Sequence, residues 1–183
     1  MRVRGSVIRS IDEFVKVKHS QKYQEWRSSL PQSASKLYDE ASPSDWYPVA
    51  DGVVTPTELL CRMFYNDPKL GAWESGRFSA EVALSGIYKV FVLISTPGFM
   101  LKRASRVIAT FYDPTDLQVI DSSDKSMTLE CTQLPAKSDL VEYRISGWIE
   151  KALEICGCKN LSVQIMKSLA RGDNAFTVNI RWD

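Results

Sequence analysis

The sequence predicts an α+β fold in which a helical N-terminal part packs on a C-terminal four-stranded antiparallel sheet with the order β-β-α-β-β. Two patterns support this prediction. Over the first two-thirds of the 183 residues, apolar side chains recur at steps of three and four, as they do in amphipathic helices. After Asp113 and Pro114 the step shortens to two, which is typical of strands with one buried face.

The first predicted helix begins near the N-terminus, and its apolar positions are Val7, Ile8, Ile11, Phe14, Val15 and Val17. A short second helix covers Gln21 to Leu30 and stops before Pro31. Next, Pro43 and Pro48 bracket two adjacent aromatic residues, Trp46 and Tyr47. Because the residue before a proline avoids the helical region, we expect Tyr47 to be extended.

Two further helices follow this loop. Thr55-Pro56-Thr57-Glu58 resembles a capping box, with Thr55 as the N-cap of a helix that runs to about Asn66. A long helix is predicted over 72–93 because its apolar stripe is too broad for an exposed helix, and Gly86 leaves a gap in that stripe. Another helix is expected from Phe99 to about Ala109.

The last third predicts four strands, over 117–121, 126–133, 161–167 and 175–182, with a helix over 139–156 packed on one face. Since side chains alternate along a strand, Phe176, Val178, Ile180 and Trp182 should point to one side of the sheet. We expect a single domain over 1–183, with a helical subdomain over 1–112 and a sheet subdomain over 113–183.

Composition excludes several classes of protein. With 44% hydrophobic and 25% charged residues the chain is neither disordered nor fibrous. Its longest aliphatic or aromatic run, Val90 to Ile94, is far shorter than the roughly 20 residues of a membrane span. A net charge of +1 gives no general attraction to nucleic acid. No secretory signal follows the basic start, so we expect a cytoplasmic location.

The chemistry-bearing residues are few. His19 is the only histidine and the four cysteines are dispersed, with Cys156 and Cys158 in a C-x-C arrangement, so we expect neither a bound metal nor a cofactor. No phosphate-binding glycine motif or nucleophile elbow occurs. The acidic and tyrosine side chains form no recognisable catalytic pair, so the sequence does not favour an enzyme; these are Asp113, Asp116, Glu130, Asp139, Glu142 and Tyr143.

Four short motifs occur in a particular order. They are Ser44-x-Trp46-Tyr47-Pro48 before a capped helix, Gly76-Arg77 at the opening of a long helix, Gly147 to Glu154 after the first hairpin, and Arg171-Gly172-Asp173 in the last hairpin. This order resembles the superfamily that joins heme nitric oxide/oxygen-binding (H-NOX) domains to 4-vinyl reductase domains. The resemblance implies a ligand pocket between the helical and sheet parts, and a sensory or binding role in signalling.

The resemblance also implies that this chain is a divergent, heme-free member. Heme-binding members carry a proximal histidine late in the chain and a Y-x-S-x-R motif beyond it. Here no histidine follows His19, and Tyr143 to Ser146 is spaced differently. The 4-vinyl reductase branch often has cysteines beside its final hairpin turn, where this chain has Ser168, Leu169, Asn174 and Ala175. We therefore expect no metal or thiol site in that turn.

The predicted ligand site combines the proline-bracketed loop with the long helix. Its residues are Trp46, Tyr47, Trp73, Arg77, Leu84, Tyr88 and Phe91. The aromatic rings offer polar edges on an apolar cavity, and Arg77 would bind an anionic end group. The alternatives are that Trp46 and Tyr47 anchor their loop to the core, and that Arg77 forms a salt bridge with Glu74 or Glu81.

These observations favour a heme-free module that binds an apolar or anionic small molecule and passes its occupancy to a signalling partner or a second subunit. The main alternative is a protein-interaction or scaffold domain with a filled core, whose exposed faces form a homodimer or a complex. A carboxylate-based enzyme acting on small apolar substrates is a third hypothesis.

Overall fold

The structure is a computed structural model that describes residues 1–84 and 104–183. Its α-helices are α1 Gly5–Lys18, α2 Tyr23–Ser29, α3 Gln32–Glu40, α4 Thr55–Phe64, α5 Pro68–Ala83, α6 Ala104–Ala109 and α7 Asp139–Ile155. Its strands are β1 Arg2–Arg4, β2 Trp46–Pro48, β3 Tyr112–Asp113, β4 Gln118–Ser122, β5 Ser126–Cys131, β6 Ser162–Lys167 and β7 Phe176–Arg181. The predicted α+β architecture is confirmed.

The helix α3 was not predicted from the sequence. It begins directly after Pro31 and buries Ala34 and Tyr38 in the core. The hydroxyl of Tyr38 donates a hydrogen bond to the carbonyl of Gly52 at 3.0 Å, which ties α3 to the turn before α4. Packing of Ala34 and Tyr38 in the core therefore stabilises this short segment.

Two predicted helix starts are wrong. A π-helical turn, Ala50–Val54, runs directly into α4, so Thr55 is already helical and is not the N-cap. Helix α5 begins at Pro68 instead of residue 72, because the side chain of Asp67 accepts a hydrogen bond from the Lys69 amide at 2.9 Å. Helix α5 ends at Ala83 with Leu84 as its C-cap, so the predicted helix over 72–93 does not run unbroken through Leu84. Residues 85–93, which include Gly86, and residues 99–103 of the next predicted helix lie outside the described residues.

A small sheet with the order β2-β1-β3 joins the N-terminus to two loops. Arg4 pairs with Trp46 and Val3 pairs with Tyr112, both in antiparallel register. The extended conformation expected for Tyr47 is confirmed, since it lies within β2.

The main sheet has the antiparallel order β4-β5-β7-β6. All four strands were predicted, and their side-chain register is confirmed: Phe176, Val178, Ile180 and Trp182 are all buried. They share one hydrophobic core with the apolar stripe of α7, which is formed by Val141, Ile145, Ile149 and Leu153. One face of the sheet is therefore covered by α7, as expected.

Helices α5 and α7 cross at very short range. A methyl group built on Gly76 of α5 would lie 1.9 Å from the main-chain oxygen of Arg144 in α7. Only glycine permits this approach of two backbones, and the contact fixes how far α7 lies from the helical part. None of the helices within 1–84 and 104–183 combines the length with the apolar character that a membrane span requires.

Candidate functional site

A cavity of about 80 Å³ lies where α1, α5, the α6–β3 segment and α7 meet. Most of its wall is apolar, formed by Val7, Ala83, Ile108, Phe111, Ile145 and Trp148. Ala83 of α5 and Trp148 of α7 both line this cavity. The cavity thus lies between the helical part and the helix that covers the main sheet.

The polar part of the cavity is built around Arg144, which is only 2% exposed. Its Nη1 donates to the Tyr112 hydroxyl and its Nη2 donates to the Ser10 hydroxyl, each at 3.0 Å. The Ser10 hydroxyl in turn donates to the Val7 carbonyl at 2.8 Å and lies 2.8 Å from Ser79 Oγ. Two elements, α1 and β3, therefore hold the guanidinium through neutral hydroxyls, and α5 supports one of these hydroxyls through Ser79.

The charge of Arg144 lacks a counterion among the described residues. None of the ion pairs within 1–84 and 104–183 includes it, and its buried Nε has no hydrogen-bond acceptor. Arginine keeps its proton in proteins, and a buried charge is costly unless an opposite charge compensates it. The site is therefore suited to an anionic group.

Two of the predicted site residues, Trp73 and Arg77, meet at Glu150 of α7. The Trp73 indole donates to Glu150 Oε2 at 2.8 Å, and Arg77 donates to both Glu150 and Glu154, with 2.9 and 2.8 Å to the two oxygens of Glu154. The hydrogen bond to Glu154 is the largest of the effects that raise the pKa of Arg77. Glu74 lies 4.0 Å away, while the main partners are on α7 and were not predicted.

The other described members of the predicted site lie elsewhere. The Trp46 ring lies beneath the guanidinium of Arg4, whose central carbon is 4.2 Å from the ring centroid. The Tyr47 hydroxyl accepts from the Ser42 amide at 2.8 Å, which anchors the proline-bracketed loop. Leu84 packs with Ala80 and Ala152.

None of these five described residues lines the 80 Å³ cavity. The remaining two predicted members, Tyr88 and Phe91, lie outside the described residues.

The polar residues of the cavity were missed in the sequence, although one signal for them exists. Arg144 lies three residues after Val141 and four before Trp148, which places it on the apolar stripe of α7. A charged residue at such a position marks a buried charge. The partners Ser10 and Ser79 carry no comparable signal, because serines occur on all faces of helices.

The single histidine does not line the cavity. His19 follows α1, and its ring stacks on Phe64 with 4.2 Å between the centroids, where burial lowers its pKa. All four cysteines are free thiols, and burial raises the pKa of Cys61 to about 12. Within the part of the chain that the structure describes, no three metal-binding side chains cluster.

No protein-family model matches this sequence, and a comparison with curated protein sequences finds no match either. Solved structures do match. An H-NOX protein from S. oneidensis in the Fe(II)NO ligation state is 9% identical, with a TM-score of 0.76 over 98% of this chain and 99% of that one. An Fe(II) unliganded H-NOX protein from K. algicida is 12% identical, with a TM-score of 0.73 over 98% and 96%. At these identities the likeness establishes the architecture, and we conclude that this chain has the H-NOX fold.

Proposed function

We propose that this protein is a heme-free sensory module that binds a small molecule in the cavity between α1, α5 and α7. One observation carries the proposal: Arg144, a buried arginine without an acidic partner among the described residues, lines an otherwise mainly apolar cavity. Binding sites are commonly mainly apolar with a few polar groups that orient the ligand. The H-NOX fold of the neighbours supports a sensory role, and their coverage supports a single domain over 1–183.

The residues present do not fit a heme group. The H-NOX structures that resemble this chain are described in Fe(II) states. Here the one histidine, His19, stacks on Phe64 and does not line the cavity. No cysteine is among the described lining residues, and a volume of about 80 Å³ is well below the roughly 300 Å³ at which cofactor pockets begin. The proposed ligand site therefore involves no heme.

The position of the cavity supports a way to transmit occupancy. A ligand there contacts α1, α5 and α7 together, and it can shift an arrangement of these helices only by binding one arrangement better. Helix α7 carries Arg144 toward the cavity and Glu150 toward Arg77 of α5. A change in α7 would thus alter a surface that a signalling partner or second subunit can contact. The four free thiols support a cytoplasmic location.

The experiment measures whether a small apolar probe enters the cavity. Xenon binds against apolar cavity walls, so titration under xenon pressure should shift the amide NMR signals of residues around Ser79 and Ile145 in a saturable way. Ala83 lines the cavity and is half-buried, and Ala83→Phe should fill the space and remove these shifts. Ala109→Phe adds the same side chain at an exposed position of α6 and should leave them unchanged.

Absence of a saturable xenon response in the parent protein would contradict the proposal. In that case the cavity is filled in solution, and the scaffold alternative becomes the better account. A native mass spectrum with a single dimer and no bound molecule would then support that alternative.

A further inference from the structure

We propose that the ligand is a short monocarboxylate, and that its carboxylate is bound by Arg144 and Tyr112. This inference rests on the proposed ligand-binding function and names the class of ligand. The observation behind it is that hydrogen-bond donors at the polar end of the cavity have no acceptor among the described residues. A carboxylate offers two acceptor oxygens, and it is the common planar partner of a guanidinium.

Two donors remain unused beside the cavity. The Arg144 Nε–H is buried and has no acceptor within 1–84 and 104–183. The Tyr112 hydroxyl accepts from Arg144 Nη1 at 3.0 Å, and its own hydrogen has no acceptor among the described residues. Unpaired buried donors cost free energy, and a negatively charged acceptor satisfies them best.

The neighbouring hydroxyls do not compete for such an anion. Ser10 Oγ donates to the Val7 carbonyl and accepts from Arg144 Nη2, so it accepts in its contact with Ser79. The hydrogen of the Ser79 hydroxyl is then directed at Ser10. These two serines therefore position the guanidinium, while Arg144 and Tyr112 are left to contact the ligand.

The volume and the apolar wall of the cavity limit the size and polarity of the ligand beyond its carboxylate. The cavity of about 80 Å³ has roughly half the volume of the 150 Å³ cavity that holds benzene in an engineered protein core. Its wall includes Phe111, Ile145 and Trp148, which favour an apolar tail over a hydrated inorganic anion. A carboxylate with a chain of about two to four carbon atoms satisfies both limits.

The test compares propionate with propionamide, a neutral molecule of nearly the same shape, by calorimetry and NMR titration on the full chain. We expect propionate to bind at least about tenfold more tightly, because only propionate forms charge-assisted hydrogen bonds. Tyr112→Phe, which removes one hydroxyl, should weaken propionate about fivefold to tenfold and leave propionamide unchanged. Arg144→Met should abolish the preference. Arg77→Met is the control, because Arg77 is paired with Glu150 and Glu154 and does not line the cavity.

The outcomes separate this inference from the proposed function. If xenon enters the cavity but propionate and propionamide bind equally or not at all, the carboxylate inference is wrong and the binding function stands. If neither xenon nor propionate enters, both are wrong. Should Arg144→Met fail to fold, Tyr112→Phe and the comparison of the two ligands still decide the question.

Discussion

Gly147 of α7 lies directly against the main-chain carbonyl of Trp73 in α5: a methyl group built on Gly147 would be 2.2 Å from that oxygen. Together with the contact between Gly76 and Arg144, this makes the two helices touch backbone to backbone. The crossing places Arg144 at the cavity and Glu150 beside Arg77. The cavity and the ion pairs therefore depend on the same pair of glycines.

The first prediction is that Gly147→Ala lowers the free energy of unfolding by about 3 kcal/mol, because the added methyl meets backbone that cannot rotate away. Chemical denaturation measures this loss. Gly52→Ala is the control: its methyl would meet side-chain atoms of Ile8 and Val3 at 3.0–3.2 Å, which can shift, so the loss should stay near 1 kcal/mol. Equal losses in both variants would contradict the backbone contact.

The second prediction concerns Arg77 and acid. Burial disfavours the charged form of Glu154, but hydrogen bonding and charge from Arg77, with a contribution from Lys151, hold the pKa of Glu154 below its ordinary value. A lowered carboxyl pKa stabilises the fold above the ordinary pKa, and this stability is lost as the pH falls through the folded pKa.

We therefore expect Arg77→Met to lower the unfolding free energy by about 1 kcal/mol at pH 7, since Glu154 is partly solvated. The difference from the parent protein should shrink below about pH 4.5. Urea titrations at a series of pH values measure this. Arg171→Met, which removes a distant and more exposed pair with Asp139, should change stability little. A difference for Arg77→Met that is constant across the pH range would contradict the assignment.

The third prediction concerns Glu142, whose pKa is raised and which therefore lowers stability at neutral pH. Glu142 is fully buried, and burial raises its pKa although hydrogen bonds from Ser168 and the Ala170 amide oppose that shift. Between the ordinary and the folded pKa the native state binds more protons, so this group lowers stability as the pH rises. Glu142→Gln keeps an acceptor for the Ala170 amide and should stabilise the protein by about 1 kcal/mol at pH 7. The gain should vanish near pH 4, and destabilisation at pH 7 would refute the assignment.

The fourth prediction concerns heme. Addition of hemin to the purified protein should give no stoichiometric Soret band, because His19 is held against Phe64 away from the cavity. The His19→Ala variant should give the same spectrum as the parent. A one-to-one complex with a Soret band that His19→Ala abolishes would overturn the heme-free account.

Much of the sheet could be predicted, because burial of one face imposes a period of two on β7, where Phe176 and Val178 alternate with polar residues. The small sheet could not. Its strands have two or three residues, and Arg4 is extended only because it pairs with Trp46. The start of α4 was mispredicted for a similar reason, since the preceding π-helical turn depends on packing around Gly52.

The site was harder to predict because either of two arginines, Arg77 or Arg144, could have been the cationic residue of the cavity. Arg77 and Arg144 both lie among apolar residues in their helices, and the sequence pattern favoured Arg77. Which arginine meets an acid is decided by the crossing of α5 and α7, which presents Glu150 and Glu154 to Arg77 and none to Arg144 within the described residues. The crossing arises from tertiary packing. Gly76 and Gly147 permit it, but their presence in the sequence does not predict the angle at which the two helices cross.

A crystal structure determined under xenon pressure tests the central claim most directly. The account predicts anomalous density for xenon inside the cavity, between Ile108, Ile145 and Trp148, with the Arg144 guanidinium still bonded to Ser10 and Tyr112. A cavity closed by side chains, with no xenon between α5 and α7, would contradict the claim that this space is a ligand site.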